Sequence, residues 1–132
     1  MATPVDSANL INELYKLRRE PEMREACSFM ATFEPRSVSD YLAGLAGPNS
    51  SQIRMVLSYW EMAASFVVSG AIDAALFEAS SDEHIVLFGK VDSILPELRE
   101  TMGNPVLFRN LEQVCIQARK NAIRAEIEKM GL

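Results

Sequence analysis

Apolar residues recur every three to four positions along most of the chain, which is the spacing of an amphipathic helix. Prolines, glycines and capping residues separate the apolar stretches. The pattern predicts five main helices, over residues 4–19, 21–33, 51–69, 80–102 and 105–129. A shorter helix carries residues 38–45, and a single helical turn covers residues 73–79.

Several helix boundaries rest on local residue patterns. Thr3 followed by Pro4 is typical of a helix start, and Ser80 with Glu83 matches a capping box that would open the helix over 80–102. Pro96 is expected to kink that helix, because it donates no backbone hydrogen bond. Pro105 is expected at the first position of the last helix.

No stretch of the chain predicts a convincing β-strand, and no repeat of solenoid length is present. The 132 residues, of which 48% are hydrophobic, fit one ordinary globular domain. We therefore expect an all-α fold, a single-domain helical bundle over residues 1–132 of about five main helices plus one short helix, without a β-sheet.

The helix over 51–69 is apolar nearly all round, which is typical of a buried helix. Its polar residues form one narrow strip of Arg54, Ser58, Glu61 and Ser65. One interpretation is a solvated strip or a structural ion pair. The other is a polar pocket in which Glu61 acts as acceptor or base, Arg99 or Arg109 binds an anion, and Tyr59 or Trp60 forms a wall.

The last helix has two apolar faces, whereas an edge helix of a monomer needs only one. The first face contains Leu111 and Val114. The second face consists of Ile116, Ile123, Ile127 and Met130. Either the N-terminal helices of the same chain cover this second face, or a second chain does. We favour a homodimer that uses it.

The charge balance argues against nucleic-acid partners. The chain has 13 Lys+Arg against 18 Asp+Glu, a net charge of −5, and nucleic-acid binding normally depends on basic residues that neutralise phosphates. We also expect no membrane partner, since the uncharged apolar stretch at the centre of the chain is shorter than the roughly 20 residues that a membrane span needs. No signal peptide is visible at the N-terminus, so a cytoplasmic location is expected.

Catalytic and metal chemistry find little support. His84 is the only imidazole, so we expect it to be a surface residue or a hydrogen-bonded structural residue, and we expect no metal site. Cys27 and Cys115 lie among apolar residues and are expected to be free buried thiols. Phosphate-binding and nucleophile motifs are absent from the sequence, so neither catalytic residues nor a cofactor are predicted.

The stretch Ser58–Glu61 and the later Gly70–Asp73, Ile94–Arg99, Gly103–Pro105 and Phe108–Glu112 resemble a family of bacterial helical proteins. The members of that family are known only as a domain of unknown function. The resemblance covers residues 53–115 and implies no reaction, cofactor or functional residue. Many members of the family carry an N-terminal membrane helix, and none is expected in this chain.

Taken together, these observations predict a non-catalytic protein-interaction module. It would self-associate through its last helix, and it could also bind another protein. The alternative is a small-molecule-binding protein or hydrolase with its pocket at Glu61.

Overall fold

The computed structural model describes residues 2–131, and within that range the chain forms helices and no strand. The all-α prediction is confirmed. The helices are α1 (Pro4–Arg18), α2 (Pro21–Thr32), α3 (Val38–Ala46), α4 (Ser50–Val68), α5 (Ala74–Ser80), α6 (Glu83–Val91), α7 (Leu95–Thr101) and α8 (Arg109–Lys129). A 3₁₀ turn, Asp92–Ile94, joins α6 to α7.

Helix α4 is the centre of the bundle, as its nearly complete apolar surface predicts. It packs most extensively against α2 and α8, and it also contacts α3 and α5. Ile53, Val56, Leu57, Trp60 and Ala63 of this helix are almost completely buried. The position of α4 therefore decides which residues face the core and which face solvent.

The start of α1 has the capping box that Thr3 suggested. Thr3 Oγ1 accepts a hydrogen bond from Asp6 N (3.1 Å), and Asp6 Oδ2 accepts one from Thr3 N (3.4 Å). Ser37 caps α3 and Asp73 caps α5 in the same way, each accepting from the backbone three residues later. These bonds satisfy amide groups that the first turn of a helix leaves unpaired.

The predicted capping box of Ser80 and Glu83 is wrong. Ser80 is the last residue of α5, and its hydroxyl donates to Phe77 O at 2.9 Å. Helix α6 begins at Glu83 after Asp82, whose side chain makes no capping bond. The Ser80 hydroxyl is thus hydrogen-bonded within α5 and does not cap α6.

The long helix predicted over 80–102 is two helices. The chain passes from α6 through the 3₁₀ turn into α7, where Pro96 lies in the first turn. Proline is tolerated there because the first amides of a helix have no intrahelical partner. Pro96 accordingly marks a new helix start and not a kink.

The last helix begins later than Pro105. Asn104 Oδ1 accepts from Val106 N (3.2 Å) in the preceding turn, and Phe108 has a left-handed backbone with φ of 56°. A left-handed residue stops an α-helix from extending backwards. Helix α8 therefore starts at Arg109.

No helix in the described range 2–131 is long and apolar enough to cross a lipid bilayer.

Candidate functional site

Helix α8 has two halves with different surroundings. In the first half, Leu111, Val114 and Cys115 are buried, and the helix packs on α4 and α6. In the second half, every residue from Arg119 to Gly131 is exposed. We call residues 116–130 the C-terminal arm, because this segment carries the second apolar face beyond the body of the bundle.

The four residues predicted to form an interface all lie on the C-terminal arm with much of their surface in solvent. The exposed fractions are 39% for Ile116, 58% for Ile123, 42% for Ile127 and 68% for Met130. Cover by the N-terminal helices, the alternative that the sequence allowed, is therefore not found. Within the described chain nothing buries this face.

Two polar contacts connect the start of the C-terminal arm to the body. Arg119 pairs with Asp92 at 3.2 Å, and Asn121 donates to Glu78 at 3.4 Å. After residue 121, the one hydrogen-bonded side-chain pair among the described residues is Lys129 with Glu126, which lies within α8 itself. The arm therefore leaves the bundle as a single helix.

Charges on the C-terminal arm are separated along its length. Arg119, Lys120 and Arg124 lie nearer the body, and Glu126, Glu128 and Lys129 lie nearer the end. One face of the arm is apolar, the part nearer the body is basic, and the end has a small net negative charge.

Glu61, the centre of the predicted polar pocket, accepts hydrogen bonds from the first turn of α8. Its carboxylate accepts from Leu111 N (2.8 Å), Asn110 Nδ2 (2.8 Å) and Asn110 N (3.3 Å). A negative charge at a helix N-terminus is favourable because the unpaired amides and the helix dipole point at it. Glu61 is thus a cap supplied by α4 to α8.

The two arginines proposed as partners of Glu61 do not pair with it. Arg99 binds Glu112 at 3.0 Å and donates to Leu107 O at 2.9 Å, which fixes the turn before α8. Arg109 is exposed, and its side chain has no ion pair or hydrogen bond within residues 2–131. The structure therefore does not assemble an anion site from Glu61, Arg99 and Arg109.

The rest of the polar strip is satisfied locally. Ser58 and Ser65 donate to carbonyl oxygens three residues earlier in α4, and Arg54 donates to Ser50. These bonds leave no convergent set of polar groups around Glu61. The interpretation as a structural strip is the one that the geometry supports.

Tyr59 does line a cavity, but on another side of α4. Its ring is buried, its hydroxyl donates to Leu14 O at 2.6 Å, and it meets Trp60 edge-on with ring centroids 5.0 Å apart. Burial raises the pKa of Tyr59 well above its usual value. Tyr59 is therefore a neutral wall residue, and Trp60 beside it is a core residue that reaches the same cavity.

The expectation for His84 is wrong. The residue is completely buried, and neither ring nitrogen has a hydrogen-bond partner in the described structure. Its ring lies 4.8 Å from that of Phe77 and 5.5 Å from that of Trp60, between centroids. The sequence places His84 in the first turn of a helix, directly after two acidic residues. That position does not indicate a buried side chain.

Both cysteines are free, Cys115 being buried and Cys27 half-buried. Burial raises the pKa of Cys115 to about 12. Burial, with Glu83 nearby, raises the pKa of Cys27 to about 11. The thiolate is the reactive form, so neither thiol is activated at neutral pH. Among the residues that the structure describes, no three His, Cys, Asp or Glu side chains form a group that could hold a metal ion.

The match to known proteins lies in the body of the bundle. A family model, a domain of unknown function (DUF4760), matches residues 4–117. The chain belongs to the DUF4760 family. The resemblance expected from the sequence is thereby confirmed, and it extends further towards the N-terminus than residue 53. No curated protein and no solved structure matches the chain.

The DUF4760 match ends where α8 leaves the body. Residue 117 is followed by Ala118, the last half-buried residue of α8. The shared domain thus contains α1 to α7 and the anchored half of α8. Most of the C-terminal arm lies outside it.

Proposed function

We propose that this DUF4760 protein is a non-catalytic interaction module that forms a homodimer through its C-terminal arm. The exposed face of Ile116, Ile123, Ile127 and Met130 carries the proposal. Exposed apolar side chains gathered on one face are typical of interaction sites, whereas isolated ones are ordinary. A second copy of the chain is the occupant to which we commit.

The energetics favour covering this face. Two copies would bury eight partly exposed side chains, which is worth on the order of 10 kcal/mol before the entropic costs of association. The arm spans about 21 Å of helix, enough for a short helix pair. Its apolar residues follow one another at steps of seven, four and three positions, as in the seam of a coiled coil.

The charges on the arm favour an antiparallel pair. Parallel helices would place the basic part of one arm beside the basic part of the other, which is unfavourable. Antiparallel helices in the register that sets Arg119 of one copy level with Glu126 of the other bring these opposite charges together twice, once for each copy. The same surface on each copy then makes the contact, as a two-fold dimer requires.

The experiment combines Ile123→Glu with Ile127→Glu and measures the molar mass by sedimentation across micromolar concentrations. We expect the unaltered chain to form a dimer and the double variant to be a folded monomer with unchanged helicity. The matched control is Val86→Glu with Val106→Glu, which adds the same charge at two other exposed apolar positions and should remain a dimer.

Two results would contradict the proposal. A strict monomer for the unaltered chain rules out self-association, and a dimer that survives the double substitution places the interface elsewhere. A charge swap, Arg119→Glu with Glu126→Arg, tests the orientation. In the antiparallel pair each single substitution weakens the dimer and the swap restores it.

A further inference from the structure

A cavity of about 170 Å³ opens between α1, α4 and the segment that joins α5 to α6. This volume is similar to that of engineered cavities that hold one benzene ring. Four of its ten lining residues are aromatic. The lining includes Tyr15 and Arg18 from α1, Tyr59 and Trp60 from α4, Phe77 from α5, and Ser81.

Unpaired buried polar atoms are concentrated beside this cavity. Among the described residues, the buried side-chain nitrogen and oxygen atoms without a hydrogen-bond partner are Trp60 Nε1, Ser81 Oγ and the two ring nitrogens of His84. Trp60 and Ser81 line the cavity, and the His84 ring packs against Trp60 and Phe77 behind it. Nearly all buried polar groups in proteins are paired, and each unpaired one costs about 1–3 kcal/mol. Their occurrence at one cavity points to a missing hydrogen-bonding partner.

The charges around the cavity cancel. The Arg18 guanidinium lies 5.1 Å from the centre of the Trp60 ring and is paired with Glu83 at 2.9 Å. Burial lowers the pKa of His84 to about 4, so the imidazole is neutral at pH 7. Arg18 lines the cavity, and its charge is already neutralised by Glu83 outside the lining, so a charged ligand finds no unpaired opposite charge there.

The unpaired polar groups at the cavity include both hydrogen-bond donors and hydrogen-bond acceptors. The indole nitrogen of Trp60 can only donate, whereas the Ser81 hydroxyl and a neutral imidazole can each do both. A carbonyl next to an N–H group complements this set. The aromatic walls suit a flat ring.

We propose that this cavity binds a small, uncharged aromatic amide. The ring lies between the aromatic side chains, and the amide pairs with Trp60 Nε1 and Ser81 Oγ. These two atoms are shielded from solvent in the free protein, so the side chains of Trp60 and Ser81 both shift as the ligand enters. The site is separate from the C-terminal arm and does not depend on dimer formation.

The chain has a single tryptophan, so its fluorescence reports directly on the cavity. Benzamide serves as the probe, with benzoate as the charged analogue and toluene as the analogue without polar groups. We expect a saturable change of Trp60 fluorescence with benzamide. The two analogues should bind about tenfold more weakly or worse, because toluene has no polar group to pair and benzoate must lose the hydration of its charge.

Substitutions in the cavity distinguish this site from unspecific binding. Ser81→Ala removes one polar partner and nearly keeps the shape of the wall, whereas Trp60→Phe removes the other partner and also makes the ring smaller. Benzamide affinity should fall about fivefold to tenfold in each. Binding to Trp60→Phe is followed by ligand-observed NMR. Ser58→Ala is the matched control, because this serine lies on the exposed side of α4 and bonds only within the helix.

Three results would overturn the proposal. They are no saturable binding of benzamide at millimolar concentration, equal binding of benzamide and toluene, and unchanged affinity after Ser81→Ala. The first of these would indicate that the unpaired atoms are served by water alone.

Discussion

Burial of the His84 imidazole makes the stability of the bundle depend on pH. Burial, with Arg18 acting in the same direction and Asp82 against it, lowers the pKa of His84 from 6.5 to about 4. Between these two pKa values, the imidazole is mostly protonated in the unfolded chain and mostly neutral in the folded chain. The stability contribution is therefore complete above about pH 6.5 and is lost as the pH falls towards 4, by about 3 kcal/mol.

The first prediction follows from this difference in proton binding. His84→Phe keeps a flat ring against Trp60 and Phe77 and removes the titrating group. The free energy of unfolding, measured by urea denaturation from neutral pH to about pH 4, should fall with acid more steeply for the unaltered chain than for the variant. Parallel curves would show that the pKa of His84 is the same in the folded and the unfolded chain. Carboxylates titrate in both proteins, so the difference between the curves isolates the imidazole.

At the same scale, Glu61 shows what a helical pattern can and cannot predict. Its place on the one polar strip of α4 follows from spacing alone. Its partners are backbone amides of Asn110 and Leu111, far away in the sequence, and a helical pattern carries no information about such partners. Tyr59 was predicted as a wall of a pocket at Glu61, whereas the cavity that it lines lies on another side of α4.

At the scale of elements, two glycines in helices have opposite roles. A Cβ at Gly44 in α3 would lie 2.9 Å from Ile53 Cδ1 and 2.9 Å from Phe33 Cε1. A Cβ at Gly89 in α6 would meet nothing within 4 Å. Gly44 lets α3 approach α4 closely, whereas Gly89 serves no such contact.

The second prediction compares these two positions. Gly44→Ala should destabilise the protein by about 1–3 kcal/mol, because the added methyl group forces side chains apart in a packed core. Gly89→Ala should stabilise it by about 0.5–1 kcal/mol, because alanine loses less backbone freedom in a helix. Denaturant unfolding at neutral pH measures both, and a loss of stability in both variants would mean that packing around α6 is tighter than the structure shows.

The helices could be predicted from the sequence far better than the connections between them. Apolar spacing placed α1, α2 and α4 to within one or two residues, because their burial is one-sided or complete over several turns. The break at Pro96 and the late start of α8 depend on how α6 and α7 pack on the core. A proline in an apolar helical pattern is compatible with a kink and with a new helix start, so the sequence alone leaves that choice open.

At the scale of the whole molecule, the bundle and the C-terminal arm should be separable. Because residues 119–131 are all exposed, removing residues 122–132 takes away no buried side chain that the structure describes. The third prediction is that the shortened protein keeps the unfolding free energy of the monomer to within about 0.5 kcal/mol.

The same shortening should remove a dependence on protein concentration. A dimer becomes more stable as its concentration rises, so the Tm of the full chain should increase with concentration and that of the shortened chain should stay constant. Differential scanning calorimetry at several concentrations tests this. A shortened protein that melts well below the full chain at low concentration would show that the arm supports the bundle itself.

The sequence indicated that the last helix has more apolar surface than its own chain can cover. It did not indicate where along the helix that surface becomes exposed. Two apolar faces on the last helix indicate that one chain has more surface to cover than its neighbours require. Where the helix leaves the body depends on the length of α4 and α6 and on the start of α8 at Arg109. These are tertiary distances, and periodicity does not encode them.

The cap that Glu61 places on α8 also aims the far end of the helix. Twenty-one residues make a rod about 32 Å long, so a tilt of about 10° at its base would displace its tip by about 5 Å. Such leverage means that this carboxylate, together with the packing of the first half of α8 on α4 and α6, sets the direction in which Ile127 and Met130 are presented. A substitution near residue 61 would thus redirect a surface that it never touches.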